Sequence, residues 1–129
     1  MKSGNDMRTP LGRVAGLGSA HTGTGHFWWQ RLTAVANVPL TIAFVVILVS
    51  LYGRNQAFAQ QTLSTPVIAI IMLLFVASIT YHMRLGMQVV IEDYVHSAAK
   101  VPLLIASHFL CFAIGVAGIL ATLSIMFAR

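Results

Sequence analysis

Charge is what this chain has least of. Asp, Glu, Lys and Arg make up 9% of its 129 residues, only three are acidic, and 57% are hydrophobic. Soluble domains carry charge on about a quarter of their residues, so this surface is not built for water. Long stretches have no charge at all: 22 residues between Arg31 and Arg54, and 28 between Lys100 and Arg129. A bilayer core is crossed by about 20 helical residues, so each gap is long enough for a span. Cysteine is nearly absent too. Cys111 stands alone, which excludes an intrachain disulfide and leaves an iron-sulfur cluster, with its need for about four ligands, nothing to hold it. We read Cys111 as a packing residue. There is no dinucleotide-binding glycine fingerprint, no internal repeat and no low-complexity tract. The first 30 residues contain no apolar core of a cleavable signal, so the N-terminus is expected to be retained.

What is present is apolar sequence in three blocks. Between Arg54 and Glu92 a polar opening (Asn55, Gln56, Gln60, Gln61, Thr62, Ser64, Thr65) gives way at Pro66 to mostly apolar residues as far as Ile91. Runs such as Ile42 to Val49 and Val67 to Val76 are apolar on every face, which a soluble amphipathic helix would not tolerate. The expected fold is an all-α membrane protein with spans at about 32–53, 66–91 and 100–127. A basic, glycine-rich arm over residues 1–31 is expected to precede a transmembrane unit over 32–129.

Lysine and arginine outnumber acids eight to three, but they flank spans instead of alternating with aromatics in a patch. They set topology, and no nucleic-acid partner is expected. Lys2, Arg8, Arg13, Arg31 and Lys100 fall on one side and Arg54 and Arg129 on the other, so the positive-inside rule puts the N-terminus in the cytoplasm. His26-Phe27-Trp28-Trp29-Gln30-Arg31 reads as an aromatic belt at the headgroups. Pro39 is expected to kink or loosen span 1. Gly115 and Gly118, with Ala113, Ala117 and Ala121, offer span 3 a small-residue face for close helix contact. Residues 53–65 are expected to form a short external loop.

Span 2 carries the chemistry, because ionisable groups inside lipid are costly and mark function. His82 precedes Asp93 by 11 residues, which places it roughly 16 Å from the inner interface. An imidazole there is either hydrogen-bonded to a neighbouring helix or an axial ligand of a membrane haem. Gly86 lies one turn away on the same face and leaves room for a flat macrocycle. Arg84, on another face, must snorkel, pair or meet an anion such as a haem propionate or lipid phosphate. Asp93 and Tyr94 end the span, where a phenol and a carboxylate suit a quinone headgroup, or where Tyr94 is an interfacial anchor beside a solvated turn. His108 reads as a hydrogen-bonded packing residue and His96 as a loop residue. A small transporter subunit, with His82 and Arg84 lining a proton path, is the rival class.

Three segments together resemble the small membrane-anchor subunit of succinate dehydrogenase, in its alphaproteobacterial form. They are Arg8-Thr9-Pro10-Leu11-Gly12-Arg13 with Gly16-Leu17-Gly18-Ser19-Ala20, then Gln30-Arg31-Leu32-Thr33-Ala34, and above all His82-(x3)-Gly86-Met87-(x4)-Glu92-Asp93-Tyr94. The resemblance runs from about Arg8 to the end. It implies a heterodimeric helical bundle with a companion anchor subunit, seated in the bacterial inner membrane beneath a flavoprotein and an iron-sulfur subunit. FAD and the iron-sulfur clusters belong to those partners, so no succinate-oxidising site is expected on this chain. It further implies that His82 is an axial ligand of haem b, that Tyr94 hydrogen-bonds ubiquinone with Asp93 beside it, and that Arg31 lies near the haem propionates and the quinone pocket; its place at the inner end of span 1 is expected to put it at the membrane level of Asp93 and Tyr94. A quinol:fumarate reductase anchor shares the same fold and site and differs in physiological direction.

Overall fold

The computed structural model describes residues 9, 11 and 24–127, and every regular element among them is helical. Three long helices, α1 (Thr24–Leu51), α3 (Pro66–Tyr94) and α4 (Lys100–Phe127), are each long and apolar enough to cross a membrane, and a short helix α2 (Gln56–Leu63) lies between the first two. The last two spans begin where expected. Pro66 occupies the first turn of α3, where its missing N–H costs nothing, and Lys100 opens α4. Two boundaries differ from expectation. The first helix starts at Thr24, so residues 24–31, counted with the basic arm, are helical; the rest of the arm, apart from residues 9 and 11, lies outside the described residues. The third helix continues through Glu92 and Asp93 to Tyr94.

α1 runs through Pro39 to Leu51, and the chain then turns at Gly53, whose φ of 72° is a left-handed conformation that suits glycine. The expected plain loop is instead organised around α2. Asn55 caps that helix by accepting from the Phe58 N–H at 2.9 Å, one of the donors that a helix start leaves without an intrahelical partner. α2 then rests on α3 and α4.

α3 is the central element, packed against α1 on one side and α4 on the other. Lipid offers apolar groups no reason to associate, so helices in a membrane are held by close packing at small residues. Gly115 and Gly118 of α4 supply it: a Cβ on Gly115 would come within 3.3 Å of the Thr80 side chain, and one on Gly118 within 2.8 Å of Val76 Cγ1. Cys111 and Gly115 are buried on this face, as the packing role of Cys111 requires, but Ala113, Ala117 and Ala121 point elsewhere and are exposed. Only the glycines of the expected small-residue face make the contact.

Gly118→Ala should therefore overpack this seam. Val76 is β-branched and stiff, so relief needs a backbone shift costing about 1–3 kcal/mol. Thermal inactivation in mild detergent should move to lower temperature, and Val76→Ala in the same chain should restore it. A Gly118→Ala protein as heat-resistant as the wild type would show that α3 and α4 are not held by this approach.

Large apolar side chains cover much of the outside, among them Val35, Ile42, Val49, Phe109, Phe112 and Leu120. Such a surface is stable facing lipid or other helices, which makes this a multi-pass membrane protein.

Candidate functional site

Contacts between α1 and α3 define their register. Trp29 meets Tyr81 edge-on at 6.1 Å, Phe44 stacks on Phe75 at 4.5 Å, and between these the Thr33 hydroxyl lies 3.0 Å from His82 Nδ1. Thr33 is buried, and its oxygen is also 2.8 Å from the Trp29 carbonyl and 3.1 Å from that of Gln30. His82 is half-buried, and its Nε2 has no hydrogen-bond partner among the described residues. One nitrogen thus serves helix packing, and the other has no partner among the described residues. Beside it, a Cβ built on Gly86 would meet nothing within 4 Å, so the space next to the imidazole on that face is open. A single imidazole with an unpartnered nitrogen beside an open flank has the donor and the room that a planar macrocycle would need. Among the described residues no three His, Cys, Asp or Glu side chains cluster as a metal cage would.

The same register corrects the position of Arg31. Thr33 marks the level of His82, and Arg31 lies two residues nearer the start of α1, about 3 Å along the axis. That is the level of Arg84, two residues past His82 in the opposite direction, and not that of Asp93 and Tyr94, which are about 16 and 18 Å from His82 along α3. The error came from starting α1 at residue 32 when the helix begins eight residues earlier. Arg31 is consequently close in depth to the imidazole and far from the α3 terminus. Its guanidinium lies 5.1 Å from the Phe27 ring, and that of Arg84 lies 5.9 Å from the Tyr81 ring, so each charge rests on an aromatic face one turn away.

Asp93 and Tyr94 occupy the last turn of α3, both exposed, Tyr94 to 81%. Two carboxylates in the last turn of a helix oppose its dipole, whose negative end is there. Lys100 moderates this by donating to the Glu92 carbonyl at 3.1 Å, and Gln88 donates to the Glu92 carboxylate at 2.9 Å. Asp93 has no such partner among the described residues and makes no hydrogen bond to Tyr94. A carboxylate placed against the dipole and left free is poor for stability, which is a mark of functional sites.

A groove of about 660 Å³ opens between α3 and α4, lined by Thr80, Tyr81, Arg84, His108, Cys111 and Gly115 among others. None of His82, Gly86, Asp93 or Tyr94 lines it. His108 was expected to be hydrogen-bonded, but its Nε2 is buried without a partner among the described residues. His96 lies exposed in the α3–α4 connection, as expected. Thr33 entered the sequence reading only as part of the Gln30–Ala34 segment, without a role of its own; its physical signal is a hydroxyl near the start of an apolar span, where polar side chains bond across helices.

A sequence profile of the succinate dehydrogenase/fumarate reductase transmembrane subunits matches residues 5–122. The chain belongs to that family. It is 32% identical over 113 residues to a succinate dehydrogenase hydrophobic membrane anchor subunit of Paracoccus denitrificans, covering 88% of each chain. It is 32% identical over 90 residues to the protein of that name from Rickettsia bellii (strain RML369-C), covering 70% of this chain and 72% of that one. No solved structure matches the chain. The succinate dehydrogenase/fumarate reductase family accounts for three apolar helices with so few charges, and it removes the transporter reading, for which neither the fold nor the relatives offer support.

Proposed function

We propose that this chain is the anchor that holds the succinate-oxidising flavoprotein and iron-sulfur subunits on the bacterial inner membrane, N-terminus in the cytoplasm. With a companion anchor subunit it builds the haem b pocket and the ubiquinone-reduction site. The observation that carries the reading is the mid-span imidazole of His82, with Nδ1 engaged and Nε2 free beside an open flank.

Nε2 of His82 would hold the haem iron, and the open space at Gly86 would leave room for the ring. Arg31, about 3 Å from the imidazole level toward the Tyr94 end, would neutralise a propionate. Haem b, when bound, supplies a one-electron carrier in the membrane. At the α3 terminus, the Tyr94 hydroxyl donates to a quinone carbonyl and Asp93 passes protons to the reduced oxygen. Succinate itself is oxidised on the partner chains.

Two results follow. Cells lacking this chain should keep succinate:dye activity in the soluble fraction and lose succinate:quinone activity from membranes. A flavoprotein that stays membrane-bound and reduces quinone without this chain would overturn the anchor role. Asp93→Asn keeps the shape and removes the proton carrier, so quinone turnover should fall several-fold with dye reduction unchanged. Wild-type quinone kinetics in that variant would leave Tyr94 alone at the site.

A further inference from the structure

Three oxygens and one nitrogen meet at Thr33, and their arrangement assigns a proton. The hydroxyl has a single hydrogen, yet it lies 2.8 Å from the Trp29 carbonyl, 3.1 Å from the Gln30 carbonyl and 3.0 Å from His82 Nδ1. Carbonyls only accept. If the hydroxyl donated to Nδ1, its lone pairs would face two carbonyl oxygens with no proton between, and a protonated Nε2 would have no acceptor among the described residues. If it donates backward to the helix carbonyls, as buried threonines in helices do, its lone pair accepts a hydrogen bond from Nδ1–H. Only this second arrangement avoids both conflicts, and it leaves the Nε2 lone pair bare.

We propose that Thr33 is the positioning residue for His82: by accepting from Nδ1–H it fixes the tautomer in which Nε2 ligates iron, and it sets the imidazole's rotation toward the open side. The proposal rests on the reading of His82 as a haem ligand. A metal-bound histidine needs its other nitrogen held, and the holder normally comes from a carboxylate, carbonyl or water. In this chain it comes from the neighbouring helix, so the pairing of α1 with α3 and the competence of the ligand are one event. Accepting a hydrogen bond from Nδ1–H also strengthens Nε2 as an electron donor to the metal, which favours ferric over ferrous iron.

The test uses the whole complex purified through a tag on this chain, comparing wild type with Thr33→Val, Thr33→Ser and His82→Ala. Valine keeps the shape and cannot accept; serine keeps the hydroxyl. Expected are a haem midpoint potential shifted upward in Thr33→Val, with haem lost to a competing apo-haemoprotein roughly 10–100-fold more readily, and both values restored toward wild type in Thr33→Ser. A Thr33→Val complex with native potential and native haem retention overturns the role of Thr33 while leaving His82 as the ligand. A His82→Ala complex with a native haem spectrum overturns the ligand reading, and this proposal with it. If valine disturbs assembly, Thr33→Ala, which only removes atoms, is read by the same two criteria.

Discussion

Replacing His82 with alanine should leave the assembled complex without its reduced haem b band, or with a small and shifted remnant. Outer partners of a metal ligand are worth roughly 10–100-fold in affinity, and removing the ligand itself takes away at least as much. No other side chain on this stretch of α3 replaces it: the nearest imidazole in sequence, His96, is 14 residues away in the connection after the helix, about 20 Å along the axis if the helix were continued. His108 lies on α4 and lines the opposite groove. The helix bundle should persist, because the α3–α4 seam at Gly115 and Gly118 and the Phe44–Phe75 stack do not involve the imidazole. A variant with full haem content and an unaltered six-coordinate spectrum would mean that the Thr33–His82 hydrogen bond is packing and nothing more.

Tyr94→Phe should separate two assays that run together in the wild type. The ring and its packing remain and only the hydroxyl goes, so succinate oxidation by an artificial dye should be unchanged while quinone reduction slows. A hydrogen bond of about 1 kcal/mol corresponds to roughly five-fold, and one to a developing oxyanion, at about 1.5–3 kcal/mol, to 10-fold or more. The exposure of Tyr94, at 81%, makes this expectation sharp, since its hydroxyl has no internal partner among the described residues whose loss would disturb the fold. Equal losses in both assays would point to assembly, and no loss in either would make Tyr94 an anchor at the headgroups.

Much of the fold was legible because lipid imposes a simple rule on composition. Gaps in charge located the first and last spans, and the change from polar to apolar sequence at Pro66 located the middle one; α3 and α4 begin at Pro66 and Lys100. The start of α1 was misjudged because glycine, aromatic and basic residues before Leu32 read as an arm, although the helix needs only satisfied backbone bonds to extend out of the apolar stretch. α2 escaped notice because eight polar-rich residues carry no apolar periodicity, and its signal lies in one capping residue, Asn55. The site divides the same way. His82, Gly86, Asp93 and Tyr94 stand on one helix at readable spacings. Thr33 is 49 residues from His82 in the chain, a separation no local pattern conveys, and the depth of Arg31 followed only once that contact set the register.

The anchor reading is tested most directly by purifying the tagged chain from membranes in mild detergent, identifying what comes with it and recording a reduced-minus-oxidised spectrum. It should elute with three unlike partners, among them a flavoprotein and an iron-sulfur protein, and with a haem b band in stoichiometric amount. A chain that elutes alone or with copies of itself, without haem and without succinate:quinone activity, would contradict it.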